Sequence, residues 1–418
     1  MSTSLWRHRS FAKLWAGETI SQFGDRISEL ALPLIAVVTL AATPTQVGFL
    51  TAAVWAPNLL SLLVGSWVDR QPNRKRLLIA ADLLRAAVLL SLPVAHWFGV
   101  VTLSQLFVVA LLGGVGQVLF ASAYVPFFVG LVERGQYVDA NSKLSMSRSA
   151  SYVAGPAAGG FLIQALTAPV AVLVDAVSFL CSALLIGRIK AAPAPVSSSG
   201  THLLADAREG LAYVLRHPYL RAGLGCVTTV NFFGFVAQAL IVLFASRTLG
   251  LPVGWIGLAF GVGALGGLAG AVLAPGLSRR FGVGRTLFVG AVLFPAPTAA
   301  IALAGGPHWL AATVLASAEA VAGAGVMLMD INLNSVIFAV TQDRVRSRVT
   351  GVFGMINYGA RPLGALVGGF LGSGIGLRPT LLIAAVGGVL ACLWLLPSPI
   401  PGIRTLDEVS PDPVALAA

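Results

Sequence analysis

Apolar residues along this chain gather into long blocks separated by short polar interruptions. Blocks of about 20 residues, enough for a helix to cross roughly 30 Å of hydrocarbon, fall near 14–39, 46–68, 77–97, 103–126, 146–166 and 170–187. Six more follow near 220–245, 254–277, 286–304, 309–333, 349–372 and 378–396. Hydrocarbon leaves each backbone N–H and C=O to be satisfied within its own segment, so the pattern predicts an all-α integral membrane protein of twelve transmembrane helices. The longest polar interruption, 188–217, holds an Ala-Pro-Ala-Pro run and Ser197, Ser198, Ser199 and Gly200, and reads as a linker. Apolar residues at helical spacing from Leu203 to Leu215 predict a short surface helix inside it. The expected organisation is an N-terminal six-helix bundle (1–187), a cytoplasmic linker (188–217), a C-terminal six-helix bundle (218–397) and a cytoplasmic tail (398–418).

Composition agrees with that pattern. The 418 residues are 57% hydrophobic and 10% charged, against about a quarter charged in soluble globular chains. The net charge of +11 takes its meaning from position. Arg26, Arg85 and Arg361 lie within spans and only Arg247 and Arg378 fall on one face; the remaining Lys and Arg sit on the face that carries both termini. The positive-inside rule makes that face cytoplasmic, which predicts a multi-pass protein of the plasma membrane. The cations are spread over short loops and form no nucleic-acid-binding surface. Because the first span contains Glu18, Asp25, Arg26 and Glu29 and no cleavage-type small-residue end follows it, it is expected to stay as the first crossing.

Several chemistries are unprovided for. The sequence has no phosphate loop, His-Glu-x-x-His or Cys-x-x-Cys, so a self-contained ATP-driven pump is excluded and neither cofactor nor metal is expected. Cys181, Cys226 and Cys392 lie in apolar spans, as small buried hydrophobes do. His8, His96, His202, His217 and His308 fall in loops or at span ends, which argues against an enzyme. Gly261, Gly263 and Gly266 fit the dinucleotide pattern by letters only; inside an apolar span they imply close helix packing.

The two halves echo each other at an offset of about half the chain. Gln22-Phe23 lines up with Asn231-Phe232, Ser151 to Pro156 with Asn357 to Pro362, and the loop holding Arg70 with the one holding Arg279, Arg280 and Arg285. Such order supports a parallel repeat of two pseudo-symmetric six-helix bundles. Between the second and third spans stand Gly65, Asp69 and Arg70, then Arg74, Lys75 and Arg76; in the fifth stand Gly155, Pro156, Gly159 and Gly160.

Those two signatures resemble the major facilitator superfamily over essentially the whole length, with Pro72 and Asn73 where many members have a Gly in the turn. The resemblance implies the fold of that superfamily, a gating loop from Gly65 to Arg76, and, from the fifth-helix signature, export of substrate in exchange for protons. Gln22 to Arg26 and Asn141 to Arg148 are most similar to the branch of macrolide-efflux proteins and siderophore (enterobactin) exporters. Physically, Gly65 would admit a close helix approach and Asp69 would accept hydrogen bonds from a facing helix N-terminus, a latch; the alternative is that the loop only sets topology.

Charges within spans normally face a bundle interior or wet cavity. Glu18, Gln22, Asp25 and Glu29 fall at i, i+4, i+7 and i+11, on one face of the first span. Asp25 and Glu29 stand one turn apart, and two close carboxylates do not both ionise easily, which suits a proton carrier. The alternative is a structural network in which Arg26 and Arg85 neutralise Asp25, Glu29 and Asp82. Glu319 and Asp330 nearly share a face of the tenth span, with Arg361 as countercharge for one of them; Asp175 reads equally as structural or functional. The expected function is secondary active export of a small amphipathic organic compound (drug, antibiotic or siderophore-like metabolite) by proton antiport with alternating access. An importer or facilitator of a small solute on the same fold is the alternative, and a non-transporting membrane scaffold or enzyme the more remote one. The implied partners are the small-molecule substrate, protons and the bilayer, around a monomer.

Overall fold

The computed structural model describes residues 8–190, 203–342 and 344–409. Among them there is no strand, and nearly all are helical. The helices are α1 (Arg9–Leu34), α2 (Pro44–Trp55), α3 (Ser61–Asp69), α4 (Arg74–Trp97), α5 (Leu103–Leu131), α6 (Tyr137–Leu166), α7 (Ala168–Gly187) and α8 (Leu203–Arg216). They continue with α9 (Pro218–Leu243), α10 (Val253–Phe281), α11 (Val283–Leu293), α12 (Pro297–Leu303), α13 (His308–Val340), α14 (Arg346–Gly374) and α15 (Leu377–Leu390). Every predicted span coincides with a helix or a broken pair. Among the described residues, 8 helices are long and apolar enough to cross a membrane, or up to 9 with α2 and α3, bent by 49°, taken as one. Helices α1, α6 and α14 are equally long but carry charges along their length.

Helix ends fall where the sequence supplies local chemistry. The Asn73 and Thr102 side chains accept the N–H of Arg76 (3.3 Å) and Gln105 (3.2 Å), capping α4 and α5. Pro169, Pro218 and Pro297 occupy the first turns of α7, α9 and α12, where a missing N–H costs nothing. Positive φ recurs at joints between helices, among them Gly282 at 95°, Gly376 at 92° and Thr167 at 96°. Both α1 and α9 end in a π turn, Ile35–Thr39 and Phe244–Thr248. The bonds match: Leu40 and Ala42 donate to Ile35 and Ala36, as Leu249 and Leu251 donate to Phe244 and Ala245.

The chain forms two compact units. Unit 1 takes Met1–Thr43, Phe49–Ser199 and Pro252–Gly261. In it α7 packs on α1 and α4, α4 on α5, and α1 on α6. Small residues permit the α1–α7 approach: a Cβ on Gly24 would meet Asp175 Cα at 3.0 Å, and one on Gly17 would meet Ser182 Cα at 3.3 Å. Phe11, Leu14, Leu78, Phe128 and Ile186 form an apolar core at one end of the unit.

Unit 2 takes Pro44–Gly48, Gly200–Leu251 and Val262–Ala418. In it α9 packs on α14 and α15, and α11 on α13. The surface helix expected at 203–215 is α8, which lies on α14 and α9 with Tyr213 and Val214 buried beside Leu220 and Val349. Ile400 and Ile403 enter the same core, and the N–H groups of Val283 and Gly284 donate to Arg404 (3.2 Å) and Ile403 (3.0 Å). The Ala-Pro-Ala-Pro run, Ser197 to Gly200 and the tail beyond 409 lie outside the described residues.

Candidate functional site

The intramembrane charges of unit 1 converge where α1, α4, α6 and α7 meet. On α1, Gln22 Nε2 donates to Glu18 Oε1 at 2.8 Å, while Glu18 Oε2 and Gln22 Oε1 are buried without a partner. Asp25 pairs with Arg85 of α4, and Glu29 Oε2 pairs with Arg26 Nη1 at 2.6 Å. Asp25 and Glu29 thus have separate guanidinium partners rather than relying on one another, and the neutralising network left open by the sequence forms for both. Asp82 does not complete that network as an ion pair. It is 1% exposed, its Oδ2 has no partner, and it lies beside Ser182. Asp175, also 1% exposed, accepts hydrogen bonds from Ser28 Oγ and from Ser178 Oγ (3.1 Å), which ties α1 to α7.

Each arginine lies on an aromatic ring and beside a glycine. Arg85 Cζ sits 3.9 Å from the Phe179 ring centroid, and its methylene stem occupies the space that a Cβ on Gly116 of α5 would fill. Arg26 Cζ sits 4.1 Å from Tyr152, with its stem against Gly155 of α6. The ring face attracts the cation where water is scarce, and the glycine leaves room for the chain. These supporting residues (Phe179, Tyr152, Gly116, Ser28, Ser182) were not identified from sequence, because their roles depend on which helix faces which. Only their small or aromatic type is visible beforehand. Glu18, Asp25, Glu29, Asp82 and Asp175 outnumber Arg26, Arg85 and Arg148, the last of which acts electrostatically on Glu18. The cluster therefore holds more carboxyls than guanidinium groups.

The fifth-span signature lies on α6. Gly155 and Gly159 face α1, where a Cβ on Gly159 would meet Ile27 Cα at 3.2 Å. Gly160 faces the start of α10, with Gly257 Cα at 3.0 Å from its would-be Cβ, and the Pro156 carbonyl is close to Gly257. In unit 2, Gly48 packs likewise on Gly369 of α14, and Thr45 N–H donates to Ser373 Oγ at 3.1 Å. Gly263 and Gly266 pack against Glu319 and Ala320, the close helix packing expected of that stretch.

The loop from Gly65 to Arg76 departs from its expected geometry. A Cβ on Gly65 would meet nothing within 4 Å among the described residues. Asp69 is the last residue of α3, exposed, and makes no hydrogen bond or ion pair among the described residues. Arg70 caps α3, and Gln71 N–H donates to Val68 O at 2.9 Å; Arg74 and Arg76 open α4. Lys75 has a contact that the sequence did not suggest: its Nζ donates to the carbonyls of Gly187 and Ile189, both at 2.7 Å. A cation there complements the negative end of α7, and Lys13 adds a bond of 2.9 Å to Arg188 O.

In unit 2, Arg361 lies over Tyr358 (4.5 Å) and Phe235 (5.1 Å) and acts electrostatically on Asp330. Of the two acids of α13, Asp330 is the one on which Arg361 acts. No group of three or more His, Cys, Asp or Glu among the described residues could hold a metal ion.

Long apolar helices with acids and arginines gathered at helix contacts define an integral membrane protein of the transporter class. The chain belongs to the Major Facilitator Superfamily, whose profile matches residues 14–365. It is 29% identical over 411 residues to the multidrug efflux pump Tap of Mycolicibacterium fortuitum, with 96% of each chain covered. It is 26% identical over 398 residues to Tap of Mycobacterium tuberculosis, covering 92% of this chain and 91% of that one. Two solved structures share the fold. The nucleoside transporter NupG has a TM-score of 0.75 at 13% identity, over 93% of this chain and 98% of its own. A bacterial homologue of the iron transporter ferroportin, in an inward-facing state, has a TM-score of 0.75 at 18% identity, over 94% and 99%.

Proposed function

We propose that this chain is a plasma-membrane exporter that moves small amphipathic organic compounds out of the cytoplasm in exchange for protons, by alternating access. Both termini then face the cytoplasm, in keeping with the distribution of Lys and Arg. The observation that carries the export reading is the end-to-end similarity to relatives named multidrug efflux pumps, 96% of each chain in the M. fortuitum case. Proton exchange is supported by the excess of carboxyls over guanidinium groups in unit 1, with Asp25 and Glu29 on the α1 stripe. A proton entering down about 100 mV releases roughly 2.3 kcal/mol, enough to drive export of a dilute compound. Inverted vesicles holding the full chain, given an acidic lumen, test this with a panel of fluorescent amphipathic dyes. Dye should enter the lumen with the gradient, stop on addition of an uncoupler, and slow at least about tenfold in the Asp25→Asn, Glu29→Gln double variant. Gradient-driven entry unchanged in that variant would remove these residues from the coupling path.

A further inference from the structure

Arg85 is the central charge of the unit 1 cluster. It is ion-paired with Asp25, stacked on Phe179, and acts electrostatically on Glu18, Glu29, Asp82 and Asp175. Asp25 already has this guanidinium, and Glu29 has that of Arg26 together with a side chain 57% exposed. Asp82 differs from both. It stands three residues before Arg85 on α4, is 1% exposed, and has an oxygen with no donor; beside it Ser182 Oγ, 0% exposed, is also unpartnered. The groups around it are Glu18 and Asp25 from α1, Ser182 from α7 and Arg85 on its own helix; α5 carries no charged residue. An ionised carboxylate buried with a donorless oxygen costs several kcal/mol. Ser182 Oγ serves Asp82 in either state, accepting from the protonated carboxyl or donating to the ionised one, but only the protonated carboxyl leaves Arg85 wholly to Asp25.

We propose that Asp82 is the carboxyl that holds the exchanged proton, and that Arg85 passes between Asp25 and Asp82 as that proton leaves and returns; this rests on the proton-exchange reading above. When the Asp82 O–H bond breaks, the proton goes to water and the carboxylate left behind draws the guanidinium, which stays protonated throughout. Asp25 then loses its partner, and because one guanidinium cannot pair with both carboxylates at once, Asp25, 26% exposed, is opened to another cation or donor. Arg85 and Asp25 are positioning residues in this scheme. The helices carrying them therefore feel the proton through the position of one side chain.

Infrared difference spectroscopy of the full chain in liposomes tests the assignment without any transported compound, so its outcome is independent of whether the dyes are exported. At neutral pH the wild-type minus Asp82→Asn spectrum should contain a protonated-carboxyl C=O band, lost at high pH. Asp82→Glu should restore the band at a shifted position, and Ser182→Ala should shift it. The Asp25→Asn and Glu29→Gln spectra should retain it. A featureless wild-type minus Asp82→Asn spectrum from protein of native helicity overturns the proposal, as does a band that disappears only in Asp25→Asn or Glu29→Gln. If Asp82→Asn does not fold, Ser182→Ala decides by the same band, an unshifted one counting against Asp82.

Discussion

Arg26 and Arg85 show what an apolar helix bundle requires to keep a cation. Each has a carboxylate, a ring face and a glycine on the neighbouring helix. Arg85→Lys keeps the charge but loses the planar stacking on Phe179, and should destabilise the purified protein by about 1–2 kcal/mol, read from its thermal midpoint in detergent. Thr167 offers the opposite experiment. Its φ of 96° and ψ of 153° lie in a region used almost only by glycine, a strain of order 1–3 kcal/mol. Gly376 joins α14 to α15 in the same conformation. Thr167→Gly should therefore raise stability by about 1 kcal/mol, and a lowered thermal midpoint would show that the threonine side chain contributes more than the strain removes. The α1 stripe was legible at this scale because helical periodicity alone places Glu18, Gln22, Asp25 and Glu29 on one face. Their partners were not, since a sequence does not say that Gly116 faces Arg85 or that Ser28 reaches Asp175.

Elements meet through small residues. Gly48 against Gly369 and Gly160 against Gly257 are equivalent crossings, one in each unit, in which backbone meets backbone. Gly257→Val would have to displace the Pro156 carbonyl or Gly160, and overpacking of this kind costs about 1–3 kcal/mol; unfolding of the purified variant checks it. The short helix α8 is held mainly by burial. Tyr213 is 6% exposed in a core with Leu220 and Val349, so Tyr213→Ala should cost about 3 kcal/mol. Glu209→Ala breaks an exposed pair with Arg348 and should cost under about 1 kcal/mol. Comparing the two thermal midpoints separates packing from charge. The long apolar helices and α8 were visible as apolar blocks and helical spacing, since bilayer thickness and the 3.6-residue turn act on every residue alike. Gly65 and Asp69 report what the loop can contact, which their spacing in the sequence does not specify. Lys75 on the α7 carbonyls went unread for a related reason: in a basic cluster its charge already had an explanation.

At the scale of the whole molecule, the Major Facilitator Superfamily profile matches residues 14–365 and the likeness to an efflux pump covers 96% of the chain, while the carboxyl-rich cluster belongs to unit 1. The family resemblance was carried by short signatures spread along the sequence. What is moved depends on side chains whose neighbours the sequence leaves open. The central claim is that compound and proton move in opposite directions through the same protein. Liposomes containing the full chain, with a pH indicator trapped inside and a fluorescent amphipathic dye added outside at equal pH, test it directly. Dye entry should turn the lumen alkaline as protons leave in exchange, and the change should be absent from protein-free liposomes. Protein-dependent entry of dye with no change in lumenal pH would contradict it.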